Sequence, residues 1–194
     1  MKVKITFIEE LLGTCSGNAE IHREFISAMA PDAATREEEI KSLGADAVEK
    51  KGMTVFPREN GIPFLYDYQW KGYFKDCCGM LRRADDTESA KLKAFKKEID
   101  GLIFVKPRKC MLVIPDGGVI GKCERPLRGQ TAQGERISLA ASETVPAGTI
   151  CEFEIKLLSA KLEKVVIEWL DYGELHGTGC WRNSGKGRFN YVIL

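Results

Sequence analysis

The sequence predicts an α+β chain with helices packed on one face of a mainly antiparallel sheet. Residues 2–8 alternate Val3, Ile5 and Phe7 against Lys2, Lys4 and Thr6, the period of a half-buried strand. Strand patterns dominate from 102 to 158. Leu162, Val165, Val166, Trp169 and Leu170 then follow at i, i+3, i+4, i+7 and i+8, an amphipathic helix, before a closing strand at 189–194. A ferredoxin-like (RRM-like) split βαβ arrangement fits roughly the last eighty residues best. At 194 residues, with 44% hydrophobic and 29% charged side chains, the chain has the length of one domain over 1–194 with its own core.

Residues 18–50 are helical and acidic. Ile21, Phe25 and Met29 share a face, Pro31 ends that piece, and Thr35-Arg36-Glu37-Glu38 forms a capping box for a second helix carrying Ile40 and Leu43. This stretch is read as a helical insert. Residues 53–66 read as a strand, a turn at Glu59-Asn60-Gly61 and a short extended piece. A helix over about 67–83 places Trp70, Phe74, Cys77, Cys78 and Leu81 on one side, and a lysine-rich helix near 88–99 carries Leu92, Phe95 and Ile99. Further strands are expected at 102–105, 109–114, 119–123, 136–142 and 149–158. Gly173 is placed to end the amphipathic helix. Trp70, Phe153 and Trp169 read as core.

No apolar run approaches the ~20 residues of a membrane span. The start, Met1 to Ile8, has the look of a signal peptide until Glu9 and Glu10 cut it short. The seven cysteines are an odd number without a C-x-x-C, and His22 and His176 are the two histidines. These features predict reduced, mostly buried thiols, no structural zinc, no cofactor and a cytoplasmic protein without membrane partners.

The net charge of +1 excludes a polycation, but the charge is unevenly spread. Residues 19–49 hold eight acids against Arg23, Arg36 and Lys41, net −5. Residues 106–136 hold Lys106, Arg108, Lys109, Lys122, Arg125, Arg128 and Arg136 against three acids, net +4. A basic stripe on a neutral protein can be an electrostatic footprint for phosphate or an ordinary solvated surface.

The most informative stretch runs from Gly173 to Phe189. Gly177, Gly179, Gly185 and Gly187 free the backbone to bring N–H groups close to an anion. Arg182, Lys186 and Arg188, with no acid among residues 182–188, supply charge-assisted bonds to phosphate oxygens. It is not a P-loop, since G-x-x-x-x-G-K-[ST] is absent and it runs from helix to strand. Trp181 stands inside it beside Arg182, where a base can stack at ~1–3 kcal/mol. Tyr66 and Tyr68 form a second aromatic cluster.

Glu143-Thr144-Val145-Pro146-Ala147-Gly148-Thr149, the long strand, the helix and the loop together resemble the C-terminal half of the RAMP superfamily, the RNA-binding subunits of CRISPR effector complexes. That family has a "V-P-x-G-T" lead-in to a long strand and a loop of the form G-x-G-x-x-R-x-x-G-x-G-R-F, which residues 177–189 match glycine for glycine. Residues 61–72, continuing to Leu81-Arg82-Arg83, are similar to the family's "P-x-I-P-G-S-S-L-K-G-x-x-R" element. Tyr66-Asp67-Tyr68-Gln69 replaces the small G-S-S stretch and Trp70 stands where Leu is usual, while Lys71-Gly72 is kept. Leu12-Gly13-Thr14 is similar to the "x-I-G-S" that follows the first strand. A relationship to small proteins of bacterial prophages is also suspected, which would make the chain a stand-alone relative.

The resemblance implies a ferredoxin-like module that binds single-stranded RNA or DNA without cutting it and assembles along the strand, as a homo-oligomer or as a subunit of a larger complex. It places Lys71 and Arg82 on a helix lining the nucleic-acid channel. His176, Gly177, Gly179, Trp181, Arg182, Gly185, Lys186, Gly187 and Arg188 form the loop site, with Arg125, Arg128 and Arg136 as a flanking stripe. Catalytic residues do not carry over. Asp32, Asp46, His22 and His176 are the candidates for the rival reading, a RAMP-type endoribonuclease, and no constellation joins them. The third reading is a phage protein that mimics a CRISPR subunit and binds a protein through its acidic insert.

Overall fold

The computed structural model describes residues 1–17, 53–131 and 134–194. The expected insert at 18–50, with His22, Asp32 and Asp46, lies outside them, as do the side chains of Arg128 and Arg136.

The strands are β1 (Lys2–Phe7), β2 (Leu11–Leu12), β3 (Cys15–Ser16), β4 (Met53–Val55), β5 (Arg58–Glu59), β6 (Ile62–Tyr66), β7 (Ile103–Lys106), β8 (Lys109–Val113), β9 (Gly121–Thr131), β10 (Gly134–Val145), β11 (Ile150–Leu157) and β12 (Phe189–Ile193). The helices are α1 (Asp67–Leu81), α2 (Phe95–Leu102) and α3 (Glu163–His176). The alternation in β1 is structural, for Val3, Ile5 and Phe7 are fully buried. β1 lies between β11 and β12, antiparallel to both, and β11 is flanked on its other side by β7 and β8. The order β12-β1-β11-β7 is that of a ferredoxin-like α+β fold. Because β1 is central to it, the split βαβ spans the whole chain rather than its last part.

Cys151, Phe153 and Ile155 of β11 join β1's buried residues in one core with Trp70, Phe74, Val166 and Trp169 from the helices. Trp70 packs on Phe153 with ring centroids 4.4 Å apart, and Phe74 on Trp169 at 5.6 Å. Trp70, Phe153 and Trp169 are thus core, as their periodicity predicts. α1 starts where the Tyr66 N–H donates to Gln69 Oε1 (2.7 Å) and Asp67 sits favourably in the first turn.

Three boundaries differ from expectation. The lysine-rich helix is instead a 3₁₀ turn, Ser89–Lys91, followed by α2. Ser89 is buried and donates through N and Oγ to Glu168 on α3, while Trp169 Nε1 donates to its hydroxyl, so the chain is held there and re-enters a helix four residues later. α3 runs through Gly173 to His176, and Gly177 at φ +71° ends it. The strands read at 119–123 and 136–142 are parts of one long antiparallel hairpin, β9–β10, paired from Gly121↔Thr144 to Thr131↔Gly134. Pro126 and Gly129 interrupt its pattern in the sequence; Pro126 is tolerated because, among the described residues, β9 pairs on one side only. β10 also pairs with β2 and, in parallel, with β4.

All seven cysteines are free, and five are buried. Burial pushes the Cys15 and Cys77 thiols up to about 12, and a hydrogen bond with Cys110, together with burial, raises Cys151 well above its usual value. No helix among the described residues is long and apolar enough to cross a membrane.

Candidate nucleic-acid interface

The glycine-rich loop joins α3 to β12 and doubles back on itself. The Thr178 N–H donates to Gly187 O (2.9 Å), and the Gly187 N–H to Glu10 O (2.9 Å). A Cβ on Gly187 would stand 2.0 Å from Thr178 O, and one on Gly177 2.6 Å from Lys186 O, so both positions require glycine. The N–H groups of Gly179, Cys180 and Trp181 donate to no acceptor among the described residues.

Trp181 adopts the left-handed conformation (φ +59°, ψ +37°) and is 39% exposed. A bulky residue there costs of order 1–3 kcal/mol, a cost found most often at functional sites. The Arg125 guanidinium lies 5.2 Å from the Trp181 ring centroid and donates to Ser142 Oγ at 3.1 Å. Arg125 is itself only 9% exposed. It backs the indole from the hairpin rather than standing open on the surface.

Each loop cation meets a carboxylate from elsewhere in the chain. Arg182 donates through Nη1 to Asp76 Oδ2 on α1, Lys186 donates to Glu10, and Arg188 Nη2 donates to Glu9 Oε1 at 3.1 Å. His176 Nε2 also bonds Asp76 Oδ2 (2.6 Å) and lies 2.9 Å from Arg182 Nη1, with the Tyr172 ring stacked on the imidazole at 4.8 Å. His176, Trp181, Arg182, Lys186, Arg188 and Arg125 thus come together around one loop. Lys71 and Arg82 do not join them. Lys71 Nζ donates to Asp100 O and lies 4.6 Å from the Phe104 ring centroid, and Arg82 lies over Phe95, so both face α2. Burial lowers the Lys71 ammonium pKa, against the pull of Asp100.

Asp76, Glu9 and Glu10 are the residues that sequence reading misses. Glu9 and Glu10 register there only as the end of an apolar run, and Asp76 does not register at all. A cavity of 370 Å³ opens between α1, β2 and the loop, with Leu12, Trp70 and Tyr73 among its apolar walls and Asp76, Thr178 and Arg182 among its polar groups. Tyr66 is fully buried against Phe64 and stacked with Tyr68 (5.0 Å), so its ring is not offered to a base.

No family model matches the chain, and no curated protein matches it in sequence. Solved structures match it in fold. A chain of the Type III-B Cmr-beta complex bound to cognate target RNA, seen by cryo-EM, superposes with a TM-score of 0.59 at 13% identity. The match covers 99% of this chain and 58% of that one. Cmr6 from Pyrococcus furiosus superposes at 0.50 and 9% identity, over 100% of this chain and 97% of Cmr6. The likeness is one of fold. The chain spans little more than half the length of the Cmr-beta chain that it matches.

Proposed function

We propose that the chain binds single-stranded nucleic acid without cutting it, as a RAMP-type subunit that assembles along the strand. The observation that carries this is the loop: N–H groups at 179–181 that meet no acceptor among the described residues, beside Arg182, Lys186 and Arg188, with Trp181 presented next to them. Backbone donors and partly exposed cations around one loop suit phosphate oxygens, and an exposed indole suits a base. The carboxylate partners do not argue against it. Partly exposed ion pairs of this kind are worth about 0–1 kcal/mol, so a polyanion can displace Glu9 and Glu10 from Arg188 and Lys186. The RNA in the Cmr-beta structure is consistent with this reading.

A salt titration with single-stranded RNA and DNA tests it. Binding whose logarithm falls linearly with log[salt], for several unrelated sequences, is the expected result. No binding at low salt would make protein mimicry the better reading. The endoribonuclease reading gains one observation, the His176–Asp76–Arg182 contact, and discrete cuts in labelled RNA without added metal would establish it.

A further inference from the structure

We propose that the 370 Å³ cavity beside the glycine-rich loop receives one unstacked guanine base of the bound strand. This rests on reading the loop as a phosphate cradle. The volume falls in the roughly 300–1,000 Å³ range of small-molecule sites. Leu12, Leu65, Trp70 and Tyr73 are all buried yet line it, giving apolar and aromatic surface for a planar ring. Gly179 and Arg182 belong to both the cavity wall and the loop, so a nucleotide whose phosphate sits on the loop has its base within reach of the cavity.

The polar groups select the base. Asp76 spends Oδ2 on His176 and Arg182, and its Oδ1 accepts from nothing among the described residues. The Arg182 donor beside the Asp76 acceptor complements a ring carbonyl beside an N–H. Guanine presents O6 next to N1–H on its Watson–Crick edge, and its exocyclic amine adds a second donor for a carboxylate. Uracil and thymine offer a carbonyl beside an N–H but lack that amine, and adenine and cytosine present the reverse order. Thr14 and Thr178 also line the cavity and can meet the remaining ring atoms.

Gly72 supplies a variant that separates base from phosphate. It lines the cavity on α1, and a Cβ there meets nothing within 4 Å, so Gly72→Leu fills the space while favouring the helix. The measurement is the affinity of cytidine octamers carrying one central guanosine, inosine or adenosine. A single guanosine should tighten binding by about five- to hundredfold over all-cytidine, inosine by less, and adenosine not at all. In Gly72→Leu the guanosine preference should vanish, with all-cytidine affinity and salt slope unchanged. Equal affinities for all four strands, with a normal salt slope, would overturn the pocket and leave the cradle standing. So would a preference that survives in Gly72→Leu. No binding of any strand would instead overturn the cradle, and the pocket with it. Guanosine monophosphate competing as well as the guanosine strand would assign the cavity to a free nucleotide and overturn the strand-base assignment.

Discussion

The Phe189 ring lies directly on Gly173, where a Cβ would stand 2.2 Å from Phe189 Cζ. Phe189 opens β12 immediately after the loop, and its ring also meets Phe7, Trp70 and Tyr73, so it has no room to retreat. Gly173 therefore holds α3 at the distance that lets the loop begin at Gly177. Gly173→Ala gains up to about 1 kcal/mol of helix propensity but overpacks the core by about 1–3 kcal/mol. A net loss of roughly 1–2 kcal/mol in urea unfolding is expected. A stabilised variant would show that the ring can move aside.

The loop cations are expected to hold phosphates. Replacing Arg182 and Arg188 by alanine should weaken strands without guanosine about equally, whatever their sequence, and lower the salt slope by roughly one per lost phosphate contact. Unchanged affinity and slope would remove the loop from the binding site.

If Glu9 and Glu10 compete with phosphate for Arg188 and Lys186, removing their charge should help binding. Each pair is worth about 0.2–1 kcal/mol, so Glu9→Gln with Glu10→Gln should tighten a single strand about twofold to thirtyfold. Weaker binding in this double variant would mean that the acids position the cations for the strand rather than compete with it.

How much of this was legible follows from which patterns are local. β1 and α3 could be read because half-burial imposes periods of two and 3.6 on neighbouring residues. The loop could be read because close backbone approach demands glycine at 177 and 187 whatever surrounds them. The contact of Gly173 with Phe189, and those of Arg182, Lys186 and Arg188 with Asp76, Glu10 and Glu9, depend on elements distant in the chain. No period or spacing records them. In sequence the β9–β10 hairpin looks shorter than it is because Pro126 and Gly129 are ordinarily breakers, and the pairing with β10 overrides them.

The buried thiols set an alkaline limit on stability. Cys15 and Cys77 are raised from the usual value of 9.0 to about 12 by burial. Between those values the unfolded chain loses protons that the folded chain keeps, so stability is full below about pH 9 and falls as pH rises toward 12. Each thiol contributes about 1.4 kcal/mol per pH unit in that window. Urea midpoints between pH 8 and 10.5 should fall, and fall less in Cys15→Ala with Cys77→Ala. Native alkylation at pH 8 should spare both residues, and alkylation of the unfolded, unreduced chain should count seven thiols. A flat pH profile would refute their burial as neutral groups.

Assembly along a strand is the last expectation. One loop with one exposed indole offers few contacts, about 1–3 kcal/mol for a stacked base plus phosphate contacts that salt screens. A single module should therefore bind weakly, and useful affinity should come from neighbours whose contacts add along the backbone. Charge alone does not supply the neighbour contact. In the basic stripe Arg108 pairs with Asp67 (2.8 Å), Lys109 with Glu59 (2.7 Å) and Lys122 with Glu124 (2.6 Å), while Arg125 lies under Trp181. The acidic residues 19–49, at net −5, would have to displace those partners on the next copy. The strand must therefore drive the association, and copies should stay separate without it. Light scattering with and without a sixty-nucleotide strand decides the matter. Mass that grows in steps of one chain only when the strand is present is the expected result. A one-to-one complex would confine the protein to a single site, and growth without the strand would make protein–protein contact the primary event.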